Sequence, residues 1–464
     1  MSTKKVAVIG GGISGLAALH FLVSRYPSDI EPVLLEKDNR LGGTIGTDRV
    51  DGYVSEWGPN GFLDRVPLTL QFVEELGISH LLAPADSKSG KRFIYAHGRL
   101  NEISPSPVKF MTSPLLSIPG RLRLAMEPFI RQKKDWEVEE SVFDFAARRI
   151  GPEAARTLID PMVSGIYGGD ARQLSLESCF PIMVQMEKEY GSLVRALVAR
   201  MRQAKREGRK GAGPAGPGGR LTSFKGGLQM LIDTLGARYS SIIKTNHDVK
   251  RIICAGDGYA IECGNGFADT YDAVICSSPA YAAATVTSEL DAELSGILKQ
   301  IPYASIAVIC LGYKREDIGH DLDGFGFIIP RFEKKRILGT IWSSSIFTDQ
   351  APSGTVQMRT LVGGATDPRA AALSDDQLVD VATTDLGPML AITGPPSYVR
   401  MYRYTRGIPQ FVLGHPARMT ALAARLARFP GLTFTGNAYD GVGLNDCVVR
   451  SDAAVKTVAS HLSL

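Results

Sequence analysis

Gly10, Gly12 and Gly15 form a Gly-x-Gly-x-x-Gly turn between an apolar run, KVAVIG, and a stretch of helical spacing that begins at Ile13. Each glycine has its own task in gripping a dinucleotide. The first permits the tight turn, the second lets the backbone approach a pyrophosphate, and the third lets helix pack on strand. The phosphates then rest on the unpaired N–H groups at the positive helix end, around Gly12, Ile13, Ser14 and Gly15. Glu36 lies 21 residues after Gly15, at the end of the second strand, where its carboxylate is placed to accept hydrogen bonds from ribose hydroxyls.

A second glycine pair follows in EKDNRLGG, bringing Lys37, Arg40, Gly42 and Gly43 back towards the pyrophosphate. This stretch resembles the extended fingerprint of FAD proteins of the glutathione-reductase type, in the amine-oxidase-like branch. A fold that holds NAD alone needs no such second pair. The C-terminus repeats the logic: LTFTG reads as a strand and leads through GNAYDGVGLNDC into a helix. Gly436 and Asn437 belong to that turn. N–H groups near Val442, Gly443 and Leu444 would face the pyrimidine edge of a flavin, where partial positive charge favours the reduced, anionic ring. FAD is long and extended, and it needs a wall from each end of the chain.

The elements that must position these motifs follow from periodicity and composition. The chain has 464 residues, 44% hydrophobic and 22% charged, which is a globular composition for two or three domains. No apolar run reaches the roughly 18 residues of a membrane span. The short apolar stretch after MSTKK lacks the length and cleavage site of a signal peptide, so a cytoplasmic protein is expected. Residues 5–43 alternate strand, helix and strand, the pattern of a βαβ unit and a parallel sheet. Residues 67–77 read as a short helix with Pro near its start and Gly at its end. Between about 91 and 209 helical stretches dominate and prolines interrupt an apolar run, which marks an inserted helical region. The Gly/Pro-rich stretch 208–221 reads as a flexible linker. Short strands follow within 249–277, residues 303–365 are β-rich, and a helix near 374–392 precedes a strand at 397–404.

Six cysteines are scattered with no Cys-x-x-Cys pair, and they read as buried thiols. The seven histidines have no metal-ligand spacing, so no metal is expected. The net charge of +4 is uneven, with seven basic residues between Arg195 and Lys210 against Glu207 alone. This cluster reads either as a solvated helix end or as attraction to an anionic membrane surface. It lacks the recognition element with aromatic neighbours that a nucleic-acid footprint would have.

Eight segments in order resemble those of the oxygen-dependent, FAD-containing protoporphyrinogen oxidase family, and they are also similar to the related bacterial coproporphyrinogen III oxidases. They are GPNGFLDRVP (58–67), DPMVSGIYGGDARQLSLESCFP (160–181), EKEYGSL (187–193), SFKGGLQMLIDTL (223–235), GFGFIIP (324–330), ILGTIWSSSIF (337–347), GIPQFVLGH (407–415) and GNAYDGVGLNDC (436–447). The resemblance implies an α/β fold with three parts. A Rossmann-like FAD domain takes 1–82, 222–283 and 402–464, an α+β substrate domain takes 83–90 and 284–401, and a helical membrane-binding insertion takes 91–209. It implies that protoporphyrinogen IX loses six electrons in three steps at one FAD, with hydride passing to flavin N5 and O2 leaving as hydrogen peroxide. Electron-rich porphyrinogen releases hydride readily and its N–H protons leave by tautomerisation, which agrees with the lack of a His–Asp or paired-carboxylate motif.

Residue by residue, Arg92 in KRFIY matches an arginine that pairs with a propionate, a role suited to a bidentate guanidinium. Gly58, Pro59 and Asn60 fall near flavin and substrate, and Gly165 matches a glycine facing the macrocycle. Ile328, Ile341 and Leu361 fall on strands that sandwich the pyrrole rings. Val249 is expected beside the adenine, and Ser277 beside the dinucleotide. Read without the resemblance, Arg92 is equally a surface arginine beside Lys91, and the three apolar residues are β-core. His415 and Tyr439 read as packing near the flavin. The implied partners are the porphyrinogen, O2 and a peripheral membrane surface, with a homodimer and ferrochelatase also admitted, and no nucleic acid. Two alternatives stay open: coproporphyrinogen III, with four carboxylates in place of two, and a flavin-free binding protein on the same fold. An amine oxidase is disfavoured because GLNDC offers no aromatic pair before the flavin.

Overall fold

The structure, a computed structural model, describes residues 3–104, 106, 109, 112–206 and 219–464. Most of the expected linker at 208–221 lies outside the described residues, as do Arg209 and Lys210 of the basic cluster.

Strand Lys4–Ile9 becomes buried from Val6 onwards and pairs in parallel with Ile30–Leu35 on one side and Ala273–Cys276 on the other. An apolar run without alternation is what a parallel strand covered on both faces requires. Ile243–Lys244 and Leu432–Phe434 complete the two edges of this five-stranded sheet. Helices Ile13–Arg25 and Leu444–His461 share one core with it, built from Leu16, Leu19, Leu22, Val448, Val455 and Val458. Arg25 pairs with Asp452 at 2.5 Å, and Ser451 Oγ donates to the Ser14 carbonyl at 2.7 Å. The antiparallel strands Val249–Ala255, Gly258–Cys263 and Ala268–Tyr271 join the other core, with Ala7, Ile9 and Val274. The first and last segments of the chain therefore meet on the same sheet.

A second sheet has seven strands in the order Tyr398–Pro409, Tyr303–Lys314, Thr355–Gly363, Ile337–Ile341, Gly326–Ile328, Phe93–Ala96 and Arg99–Glu102. The hairpin Phe93–Glu102 pairs in parallel with Gly326–Ile328, so the helical stretch expected from 91 starts after this hairpin. One face of the sheet packs on helix Asp375–Leu390 through Ile309, Leu311, Met358, Val362, Leu378 and Leu386. Side chains alternate along a strand, so Gln357, Arg359 and Leu361 point to the opposite face.

The helical region is braced by a buried ion cluster. Arg149, Glu127 and Glu187 are fully buried. Arg149 Nε donates to Glu127 at 2.8 Å, and Arg148 bridges Glu140 and Glu187 at 2.8 Å each. Glu127 also accepts from Ser192 Oγ at 2.6 Å and from the N–H groups of Leu193 and Val194 at 2.9 and 3.1 Å. It thereby caps helix Leu193–Arg206.

Candidate dinucleotide and substrate site

Gly10 has φ of +103°, and a Cβ on Gly15 would stand 1.9 Å from the Gly10 carbonyl oxygen, so only glycine closes this turn. Ser277 Oγ pins it from the neighbouring strand by donating to the carbonyls of Ile9 and Gly10 at 2.9 and 3.0 Å. A Cβ on Gly12 would meet nothing within 4 Å. Gly12 caps helix Ile13–Arg25 without a side-chain hydrogen bond, so the first N–H groups of that helix, at Ile13, Ser14 and Gly15, are left without a side-chain acceptor from the cap. Glu36 is 7% exposed and accepts from the N–H of Gly11 at 2.5 Å and of Asp38 at 2.9 Å. One bond falls on each oxygen, which leaves each a lone pair for a ribose hydroxyl.

The second glycine turn closes on the first: Gly42 N–H donates to the Gly11 carbonyl at 2.8 Å, and a Cβ on Gly43 would lie 3.4 Å from Gly12 Cα. Arg40 donates to the carbonyls of Leu41 at 2.7 Å, Ile45 at 3.2 Å and Gly43, and lies 4.3 Å over the Trp57 ring. It shapes its own loop with the donors that sequence reasoning assigned to a ligand. Lys37 is exposed beside Asp38, 3.8 Å away. Val249 is buried at its strand start, two residues after His247, whose N–H donates to the Glu36 carbonyl at 2.8 Å.

A Cβ on Gly436 would lie 3.7 Å from the Ser277 carbonyl and 3.8 Å from Ser14 Oγ, so the C-terminal turn sits against the N-terminal one, with Asn437 half-buried beside it. Gly443 caps helix Leu444–His461, but its own N–H donates to Asp446 Oδ2 at 3.0 Å. Gly443 is thus engaged within the chain, and Leu444 and Asn445 carry the first uncommitted N–H groups of that helix. Asn445 Nδ2 donates to the Leu63 carbonyl at 2.9 Å, while its Oδ1 is buried without a partner. Val442 packs with Tyr167 and Phe411. His415 stacks on Phe411 at 4.5 Å, and burial lowers its pKa; Tyr439 is half-buried, with its hydroxyl enclosed. The open space at Gly12, the helix start there without a side-chain cap and the orphaned Asn445 acceptor fit a bound FAD.

A line of contacts leads from the glycine turns to the second sheet. A Cβ on Gly58 would lie 2.4 Å from the Thr44 carbonyl, and the Gly58 carbonyl accepts from Arg359 Nη2. Pro59 and Asn60 follow, both half-buried. Ile328, Gly339 and Leu361 stand directly opposite one another across three strands, and Ile341 stands opposite Arg359. Ile328, Ile341 and Leu361 are half-buried on strands whose other residues are mostly buried. Gly165, on helix Asp160–Tyr167, faces them; a Cβ there would be 3.1 Å from Ile328 Cγ2. Arg92 lies two residues before Ile94, whose partner across the strands is Ile328, and its guanidinium sits 4.8 Å over the Phe325 ring. Among the described residues no acid pairs with it, and desolvation lowers its pKa. The structure thus gathers Arg92, Gly165, Ile328, Ile341 and Leu361 on one surface, with Gly58–Asn60 at its edge.

Sequence reasoning missed two buried ionisable groups here, Arg359 at 6% exposure and Glu56 at 2%. The one available signal was a charge inside an otherwise apolar strand, as in QMRTLV. Glu56 accepts from Thr47 Oγ1 at 2.7 Å and from the Leu228 N–H at 2.8 Å, yet burial raises its pKa from 4.5 to about 7. Between those values the folded protein holds a proton that the unfolded chain has lost, so stability falls as pH rises through that window. Glu56→Gln should remove this loss, on the order of 3 kcal/mol across the window. Denaturant unfolding from pH 4.5 to 7 checks it; an unchanged slope in the variant contradicts it.

Residues 13–458 match the family of flavin containing amine oxidoreductases. Coproporphyrinogen III oxidase of Bacillus subtilis is 31% identical over 99% of this chain and 98% of its own. Protoporphyrinogen oxidase 2, chloroplastic/mitochondrial, of Arabidopsis thaliana is 29% identical over 100% and 95%. A crystal structure from Exiguobacterium sp. 255-15, provisionally described as a protoporphyrinogen oxidase, superposes with a TM-score of 0.84 at 25% identity over the whole of both chains.

Proposed function

The chain belongs to the flavin-containing amine oxidoreductase family, and from that premise we propose that this FAD-dependent enzyme oxidises protoporphyrinogen IX to protoporphyrin IX at the expense of O2. One observation carries the reading. Ile328, Ile341 and Leu361 form a half-buried apolar floor, faced by a glycine on a helix and edged by Arg92, which among the described residues has no acidic partner. That surface suits a broad apolar macrocycle bearing carboxylates at its periphery. FAD, when bound, accepts hydride from a substrate carbon and hands the electrons to O2.

The residues supply position. Arg92 holds a propionate, the three aliphatic side chains keep water from the ring face, and Gly165 leaves room for the macrocycle where a side chain would intrude. No side chain need act as a base, because the substrate sheds its own N–H protons. The rate then depends on holding the reacting carbon in place. Arg92→Ala should raise KM by the worth of a charged hydrogen bond, about 1.5–3 kcal/mol, or one to two powers of ten. An unchanged KM in steady-state kinetics removes Arg92 from the site.

Coproporphyrinogen III is a second reading, favoured by the 31% identity to a protein of that activity. Comparing kcat/KM on the two porphyrinogens decides between them.

The five-stranded sheet is read as the FAD domain, the seven-stranded sheet as the substrate domain, and the helices between as a peripheral membrane-binding region. Among the described residues no helix is long and apolar enough to cross a membrane. Ile118, Leu122 and Met126 recur every four residues and are 70%, 62% and 53% exposed, with Phe129 beyond them at 78%. Val194, Val198 and Met201 form a second exposed stripe on helix Leu193–Arg206, among Arg195, Arg200 and Arg202. Apolar stripes beside cations support attachment to an anionic lipid surface. Leu122→Glu with Val198→Glu should abolish co-sedimentation with phosphatidylglycerol vesicles and leave the flavin spectrum unchanged. Undiminished co-sedimentation contradicts the reading.

A further inference from the structure

We infer that Arg359 is a cofactor-contacting residue of the oxidation: its buried guanidinium lies at the flavin end of the dinucleotide trough and sets how readily the bound flavin is reduced. The inference rests on the proposed reading, which puts Gly58–Asn60 beside the flavin.

The trough can be followed residue by residue. Gly12 and Gly43 mark its pyrophosphate end, where a Cβ on Gly43 would lie 3.4 Å from Gly12 Cα. Thr44 follows Gly43 directly, its carbonyl lies against Gly58, and the Gly58 carbonyl accepts from Arg359 Nη2. Arg359 comes from the substrate-side sheet, between Gln357 and Leu361, and opposite Ile341. It therefore reaches across from one sheet to the loop that leads back to the other, at the junction where a flavin must meet its substrate.

The guanidinium is buried without a matching anion. Its Nε has no hydrogen-bond partner, and among the described residues it makes no ion pair. Its electrostatic neighbours are Cys310, Glu56, Tyr404 and Tyr402. Glu56 is committed to Thr47 and Leu228, and the Tyr402 hydroxyl donates to Asp48 at 2.8 Å. Cys310 is a buried thiol. A charged donor left unpaired in an apolar setting is costly, so an acceptor supplied by a ligand explains its retention. The carbonyl- and nitrogen-bearing edge of an isoalloxazine is such an acceptor. A fixed positive charge there favours the ring once reduction has made it anionic, and the aliphatic neighbours Ile341 and Leu361 keep water from screening it. A substrate carboxylate would instead be met at the exposed rim, where Arg92 lies.

The test compares wild-type holoenzyme with Arg359→Gln and Arg359→Lys. Sulfite binding to the oxidised flavin and the two-electron potential, measured anaerobically against reference dyes, are the readouts, with melting temperature and FAD content as controls for a merely structural role. In Arg359→Gln sulfite should bind at least tenfold more weakly. The reduction equilibrium should shift at least tenfold towards the oxidised form, about 30 mV. Should that variant lose FAD, Arg359→Lys decides, with sulfite binding weakened threefold or more by the loss of Nε. A variant that keeps its FAD with wild-type sulfite affinity and potential overturns the inference. So does a raised KM for porphyrinogen at unchanged potential, which would hand Arg359 to a substrate carboxylate. A wild-type protein that binds no flavin would instead sink the reading beneath it.

Discussion

Gly15→Val should purify as a protein that has lost its yellow colour. A Cβ at this position would stand 1.9 Å from the Gly10 carbonyl oxygen and 2.6 Å from Ser277 Oγ. The first obstacle is backbone. The second is a hydroxyl held by the Ile9 and Gly10 carbonyls. Helix Ile13–Arg25 must lift off its strand, taking its N–H groups out of line with the phosphates. Overpacking costs about 1–3 kcal/mol even where side chains give way, so FAD affinity should fall by about a hundredfold or more. Gly12→Ala is the informative contrast. Its methyl meets no protein atom, so it should fold normally and still bind FAD more weakly, because it occupies space left for the ligand. Titration of the apoproteins with FAD checks both, and wild-type affinity in Gly15→Val contradicts the assigned turn.

Glu127→Ala should cost about 3–5 kcal/mol of stability, the penalty of stranding a buried charge. Arg149 is fully buried and would lose its nearer carboxylate, keeping only Glu187 at 3.3 Å, while helix Leu193–Arg206 would lose its cap. Burial by itself raises the Glu127 pKa, but the bonds from Ser192, Arg149, Leu193 and Val194 outweigh it and hold the group below its usual range. Its contribution is therefore present at neutral pH and lost as pH falls below the ordinary carboxylate range. The double variant Glu127→Gln, Arg149→Met should recover much of the loss, since it removes both charges. Urea denaturation of the three proteins measures this. A loss below about 1 kcal/mol in the single variant, the scale of an exposed pair, contradicts it.

The glycine turns were legible in the sequence because their requirements are local. Gly10 needs a positive φ and Gly15 a missing side chain, and no distant residue alters that. The parallel sheet was legible for the same reason, since KVAVIG and AVIC are apolar without alternation. The substrate surface was not legible from the residues alone. Ile328, Ile341 and Leu361 have the spacing of ordinary core strands, and only the pairing of three separate segments leaves them half-buried together; a family resemblance pointed to them, and periodicity did not. The hairpin Phe93–Glu102 was grouped with the helices because its partner, Gly326–Ile328, lies more than two hundred residues away. Arg359 and Glu56 went unnoticed because burial of a charge is decided by tertiary packing. The engagement of Gly443 by Asp446 did have a local signal, an acid three residues after a helix cap, as in a capping box.

Mixing the purified, flavin-containing protein with protoporphyrinogen IX in air and following porphyrin fluorescence tests the proposed oxidation. The predicted result is an enzyme-dependent rise to protoporphyrin IX, with one hydrogen peroxide formed for each two-electron step. Fluorescence that grows no faster than it does without the protein would contradict it.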